Sequence, residues 1–337
     1  MRLPRFEYME PDNYEGVLDL LATHKDDAKI LAGGTDLLVR MKKGLVKPKI
    51  IISLKSLKEL SYIKKEDNMI KIGAKTPIAD VIASDFIKTS AFALSEACEK
   101  IGAVSIQHYR GTIGGNILQD NRCIHYNQSD FHRSGRQLCH KDGGKICYAR
   151  DASDRCNSTC QSDGAVALMA LGAKLVLISK GSERIVEFEN FYTNDGITPF
   201  AMEPGELLKE IIIPIQDAKT SYKRLAFRSA IDYPIVCAGV LLKSSADKKE
   251  DIAHARIVVG AMGRAPLFLA KAASSLKGKN LGDIDAFENA AGISRDSASP
   301  FAVDNVGANL EYRCDMVFQM VFQALKRAAQ AIIAEKE

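Results

Sequence analysis

Ala32-Gly33-Gly34-Thr35-Asp36-Leu37 is the stretch on which the fold turns. Lys29, Ile30 and Leu31 before it read as a short buried strand, and Leu37, Leu38 and Met41 have the spacing of a short helix. A strand that ends in paired glycines and feeds a helix start leaves backbone N–H groups free. Glycine also lets a bound group come close to the backbone. A diphosphate suits such a turn. A tight turn with Asp36 capping the helix suits the same residues, and the stretch alone does not choose between them. The spacing is not G-x-G-x-x-G, so a Rossmann dinucleotide site is not implied.

Outward from that turn, residues 13–24 have helical spacing through Val17, Leu18, Leu20 and Leu21, and residues 50–53 read as a second strand. Residues 1–55 thus form a first α/β unit. Residues 56–215 read as a larger α+β unit, with a strand at 69–74, a helix at 91–101 and a helix–turn–strand run at 165–178. A strand at 210–214 is closed by a proline, which cannot continue a ladder. Residues 221–335 form a third unit, with strands at 222–228, 236–242 and 255–260 and a helix at 266–276. A long amphipathic helix over 310–335 ends it, with Val317, Val321, Leu325, Ala328 and Ile332 on one stripe. A second glycine turn, Gly111-Thr112-Ile113-Gly114-Gly115-Asn116, adds a hydroxyl and an amide. The two turns either grip one cofactor from two sides or are unrelated.

The chain has 337 residues, 46% apolar and 26% charged, which are the proportions of an ordinary globular protein with room for two or three cores. Its 46 basic and 42 acidic residues leave a net charge of +4, too even a balance for a nucleic-acid reader. The N-terminal residues carry no apolar secretory segment. No apolar run reaches the roughly 18 to 20 residues that span a bilayer. A cytoplasmic location is therefore expected, with neither membrane nor nucleic acid as a partner, and thiols stay reduced there.

Eight cysteines then need another explanation than disulfides. Cys98, Cys237 and Cys314 lie among apolar neighbours and read as small buried side chains. Cys123, Cys139, Cys147, Cys156 and Cys160 crowd into residues 121–161, with His125, His132 and His140 among them. A long segment poor in core formers inside a compact domain is usually functional. Four thiolates can hold a zinc ion or an iron–sulfur cluster. Structural zinc sites usually contain C-x2-4-C pairs, which the first four cysteines lack, and wide spacing suits a cluster wrapped by an irregular loop. The histidines are hydrophilic and mid-loop, and read as solvated. Cys160 sits just before the chain rejoins the fold at Gln161-Ser162-Asp163, and reads as the spare of the five.

Ala32-Gly-Gly-Thr-Asp-Leu-Leu38, Ile106-Gln107 and Gly-Thr-Ile-Gly-Gly-Asn116 together resemble the flavin subunit of the xanthine dehydrogenase and carbon monoxide dehydrogenase family. Phe6-Glu7-Tyr8, Gly205-Glu-Leu-Leu208 and the C-terminal strands extend the resemblance over essentially the whole chain. It implies an α+β architecture: a two-subdomain FAD-binding fold of the vanillyl-alcohol-oxidase type, then a three-stranded sheet with helices. It implies FAD contacts at Lys29, Ile30, Leu31, Ala32, Gly33, Gly34, Thr35, Asp36 and Leu37, at Thr112, Gly114, Gly115 and Asn116, and at Asp163. Leu208 and Arg224 match positions along the isoalloxazine; relatives often carry Lys at the latter, and His108 stands where Arg is frequent.

Within that family, Arg122-Cys123, Tyr126-Asn-Gln-Ser129 and the next three cysteines resemble the 4-hydroxybenzoyl-coenzyme A reductase β subunits. This implies one 4Fe–4S cluster on Cys123, Cys139, Cys147 and Cys156, in a loop that other relatives lack. It also implies partner subunits holding a molybdenum cofactor and two 2Fe–2S clusters, with no substrate chemistry on this chain. Electrons would pass from ferredoxin through the cluster and FAD toward molybdenum, for reductive dehydroxylation of an aryl-CoA. Arg133, Arg136, Lys141, Lys145 and Arg150 read either as a dock for an acidic ferredoxin or as a loop kept soluble by charge. Two other readings stand. One is a hydroxylase subunit passing electrons from an N-heterocycle or aldehyde to NAD or another acceptor. The other is a zinc-stabilised nucleotide-binding module without a redox role.

Overall fold

The computed structural model describes residues 2–304 and 307–335. Strands β1 (Glu7–Met9), β2 (Ala28–Leu31) and β3 (Ile50–Ser53) form a parallel sheet in the order β1-β3-β2. Parallel strands need a crossover, and helix Tyr14–His24 lies in the one between β1 and β2. Asn13 starts that helix by accepting the Gly16 N–H, and Val17, Leu18 and Leu21 pack with Ile50 and Ile52. This core is not self-sufficient. Val176, Ile178 and Leu207 from the next sheet complete it.

Strands β4 (Ile63–Glu66), β5 (Met69–Gly73), β6 (Lys174–Ser179), β7 (Ser182–Glu187) and β8 (Leu207–Pro214) form an antiparallel sheet ordered β4-β5-β8-β6-β7. Helices Phe92–Glu99 and Asp163–Ala170 bury Leu94, Ala97 and Leu168 in one core with Ile70, Ile72, Leu175 and Ile211. The outer strands β4 and β7 were not expected from the residue pattern.

Strands β9 (Lys219–Leu225), β10 (Val236–Ser244), β11 (Ile252–Gly260) and β12 (Leu267–Phe268) form a third sheet ordered β12-β11-β10-β9. It has four strands where three were expected. Leu267 and Phe268 pair with β11 before the chain turns into helix Ala270–Ser274, so the predicted helix at 266–276 begins as strand. Strand β9 also stops short of residue 228. The stripe of helix Leu310–Ala334 is buried as its spacing required: Val317, Val321, Leu325, Ala328 and Ile332 share a core with Ala238, Val240 and Leu242. No helix among the described residues is long and apolar enough to cross a membrane.

Between Ile117 and Asp163 the chain forms only short helical turns, at Asp130–Ser134 and His140–Asp142. Reciprocal backbone hydrogen bonds between Arg122 and Thr159, 2.8 and 2.7 Å long, close the neck of this segment.

Candidate functional site

The two glycine turns meet each other. A Cβ on Gly33 would stand 1.7 Å from the Arg110 carbonyl oxygen, so only glycine allows the first turn to lie against the second. Gly34 holds φ +74°, a left-handed conformation that glycine enters without strain. In the second turn the Thr112 hydroxyl caps the helix start by accepting the Gly115 N–H at 3.1 Å. Asn116 Oδ1 accepts from Ser162 Oγ (2.7 Å) and from the Gly164 N–H (3.1 Å), which ties the second turn to the start of helix Asp163–Ala170.

These pieces wall a cavity of about 410 Å³, within the range of small-molecule and cofactor sites. Every predicted flavin-contact position lines it except Leu31 and Arg224. Leu31 packs under Gly34, its Cδ1 within 3.0 Å of where a Gly34 Cβ would stand. Arg224 commits its guanidinium to the Lys100 and Asp232 carbonyls and to Asp163, 3.5 Å away. It can influence the cavity through Asp163 rather than by lining it.

Asp163 is buried, and burial raises its pKa against the opposing pull of Arg224 and of the Tyr222 hydroxyl. That hydroxyl donates to Asp163 Oδ1 at 2.6 Å. Asp36 stands just before helix Leu37–Lys42, at the capping position, yet its side chain makes no cap hydrogen bond. It pairs instead with Arg122 (2.5 Å) and Arg40 (3.8 Å) and accepts the Asp120 N–H (3.2 Å). The reading of Asp36 as a cap is thereby corrected.

Sequence reasoning missed Arg40, Gln107, Arg122, Gln161 and Tyr233, all of which line the cavity. Arg40 was within reach, lying one helical turn past Asp36 on the same face. Tyr233 belongs to an irregular loop between β9 and β10, and no local pattern places it. The buried Arg40 Nε has no hydrogen-bond partner among the described residues. A diphosphate oxygen would satisfy such a donor, so the residues present fit the group that the turns suggested.

The cysteine loop adjoins this cavity, since Arg122 lines it and Cys123 follows directly. Cys123 and Cys156 have thiol pKa values raised chiefly by burial. Cys156 and Cys139 stand in the field of Cys123, and Cys147 in that of Cys156. The four thiols are thus linked pairwise, Cys139 to Cys123, Cys123 to Cys156 and Cys156 to Cys147. They are not drawn into a ready-made ligand set: among the described residues no three His, Cys, Asp or Glu side chains converge to hold a metal ion. Thiolates are the donors that an iron–sulfur cluster takes. Cys160 is elsewhere, in the core of the second sheet, where burial pushes its thiol up to about 11.

Two expectations about this loop need correction. His132 is exposed, but His140 is half-buried, with Nε2 2.9 Å from the Ser153 carbonyl oxygen. The basic run is not a free surface. Arg133 is buried between Asp130 and Asp142, Arg136 donates to the His125 carbonyl, Arg150 donates to the Pro300 carbonyl, and Lys141 points inward. Lys145 and Arg150 remain exposed.

A family model described as the FAD binding domain in molybdopterin dehydrogenase matches residues 4–216. A second, the CO dehydrogenase flavoprotein C-terminal domain, matches residues 220–328. The chain belongs to this family of FAD-binding subunits of molybdenum hydroxylases, and is an oxidoreductase subunit. It is 26% identical over 336 residues to the nicotinate dehydrogenase FAD-subunit of Eubacterium barkeri, covering 98% of this chain and 91% of the relative. It is 28% identical over 324 residues to the carbon monoxide dehydrogenase medium chain of Afipia carboxidovorans, covering 96% of each. The solved carbon monoxide dehydrogenase from Hydrogenophaga pseudoflava superposes with a TM-score of 0.80 at 25% identity, covering 98% of this chain and 99% of that one.

Proposed function

We propose that this chain is the electron-transfer subunit of a 4-hydroxybenzoyl-CoA-reductase-like molybdenum enzyme, carrying FAD and one 4Fe–4S cluster. The observation that supports it best is the pairwise linkage of Cys123, Cys139, Cys147 and Cys156 beside the flavin cavity, with Cys160 turned into the core. FAD supplies one- and two-electron exchange when bound, and a 4Fe–4S cluster supplies one-electron exchange. The residues of this chain bind and tune. The free N–H groups of the Gly33–Leu37 turn hold the diphosphate, with Arg40 as a further donor, and the second turn closes the cavity against it. Asp163, kept in place by Tyr222 and Arg224, and Leu208 border the ring system. The four cysteines hold the cluster. Aryl-CoA dehydroxylation then falls to a partner subunit with the molybdenum cofactor, reached through a partner with two 2Fe–2S clusters.

Anaerobically purified protein should show superimposed flavin and iron–sulfur absorption, with iron and sulfide in equal amounts. Zinc in a colourless protein would sink this reading. For the electron donor we infer an acidic, ferredoxin-type protein that meets the loop at Phe131, which is 89% exposed and borders a groove with Lys42 and Lys47. Lys42→Glu with Phe131→Ala should slow donor-dependent reduction at least fivefold and steepen its salt dependence, leaving FAD content unchanged. Equal reduction rates at low salt would remove this docking site.

A further inference from the structure

Lys141 lies in the turn between Cys139 and Cys147, where a loop lysine would ordinarily face water. Its side chain is only 7% exposed. The ammonium donates to Asp120 Oδ1 (2.8 Å), the Gly196 carbonyl (2.8 Å), the Asn121 carbonyl (3.2 Å) and Ser158 Oγ (3.4 Å). Asp120 is shared. Its Oδ2 pairs with Arg40 Nη2 at 3.1 Å, and its backbone N–H donates to Asp36 Oδ2. Asp36 in turn holds Arg122 and Arg40, and all three of these line the flavin cavity. The result is a continuous chain, Arg122–Asp36–Arg40–Asp120–Lys141, in which no charged side chain is more than 24% exposed.

The signs decide what this chain does. Three cations face two carboxylates, so the network carries one surplus positive charge, and charges in such surroundings need a partner. The cavity side is where that partner can enter, because Lys141 itself is enclosed by the loop. Without Lys141 the two arginines are spent on Asp36 and Asp120, and nothing is left over for an anion.

We propose that Lys141 is a positioning residue for the flavin site: the cysteine loop supplies, through Asp120, the surplus cation that lets Arg40 and Arg122 engage the FAD diphosphate. This rests on the reading of the cavity as the FAD site. Lys141 does not touch the flavin; it releases the arginines from full neutralisation.

The test is a charge-balance cycle on the full chain, stripped of flavin and titrated with FAD by fluorescence quenching. Lys141→Met should raise the Kd about tenfold. Adding Asp120→Asn to that variant removes a negative charge and restores the surplus, so the double variant should return to within about threefold of the wild type. A merely structural lysine predicts the opposite, since a second broken contact would weaken binding further. Should Lys141→Met fail to fold, Lys141→Gln keeps hydrogen-bonding capacity, loses the charge and is read in the same way. An unchanged Kd in the single variant, or a double variant no tighter than the single, overturns the proposal. A wild-type chain that does not bind FAD would instead overturn the cavity reading itself.

Discussion

Gly33→Ala is expected to lower FAD affinity at least a hundredfold, an effect of about 2.7 kcal/mol. The new methyl carbon would stand 1.7 Å from the Arg110 carbonyl oxygen, a separation that no side-chain rearrangement can relieve because the backbone fixes the position of a Cβ and the oxygen is itself backbone. Either the first turn or the second must retreat, and the cavity loses one of its walls. Titration of the flavin-stripped variant measures the loss. Gly292→Ala is the control. That glycine lies inside helix Ile284–Ala298 with no atom near the site of an added Cβ, so the change should leave FAD binding alone and stabilise the helix by about 0.5–1 kcal/mol. Full affinity in Gly33→Ala would mean that the close contact of the two turns does not shape the site.

Cys123→Ser should lose most of the iron and sulfide while retaining FAD. A hydroxyl is a far poorer cluster ligand than a thiolate, and a four-iron cluster short of one cysteine has an unprotected corner. Flavin retention follows from the geometry, since the glycine turns, Asp163 and Arg40 lie outside the cysteine loop, and Lys141 is held by Asp120, Asn121, Ser158 and Gly196 rather than by a cysteine. Cys160→Ala should do the reverse, keeping its iron and losing some stability, because its thiol fills a place in the core of the second sheet. Iron, sulfide and flavin analysis of the anaerobically purified variants separates the two outcomes. Four irons retained in Cys123→Ser would refute its place as a ligand.

The elements legible in the residues were those with a buried face. Ile50–Ser53 is buried throughout and apolar but for Ser53, helix Leu310–Ala334 repeats its stripe over many turns, and β10 is buried for most of its length. The strands that escaped notice are sheet edges: β1 with Glu7-Tyr-Met9, β4 with Ile63-Lys-Lys-Glu66, β7 with Ser182-Glu-Arg-Ile-Val-Glu187, and the two residues of β12. An edge strand pairs on one side only, and polar side chains protect it from unwanted pairing, so it lacks the hydrophobic alternation that reveals a strand. Sheet order escaped as well, since β5 and β6 both pair with the distant β8.

The site divides along similar lines. Glycine turns and cysteines declare themselves because few other residues can replace them. Arg40, Arg122 and Lys141 did not, because a basic residue in a polar stretch is normally solvated, and only the folded chain shows these three turned inward.

The backbone pair between Arg122 and Thr159 has one more consequence. Directly paired strand residues lie only about 5 Å apart. Residues 123–158 could therefore be removed, or could once have been inserted, without moving either end of the surrounding fold. A shortened chain would lose the thiols and Lys141 together, and would need a replacement cation, or one fewer acidic residue, to hold its nucleotide equally well.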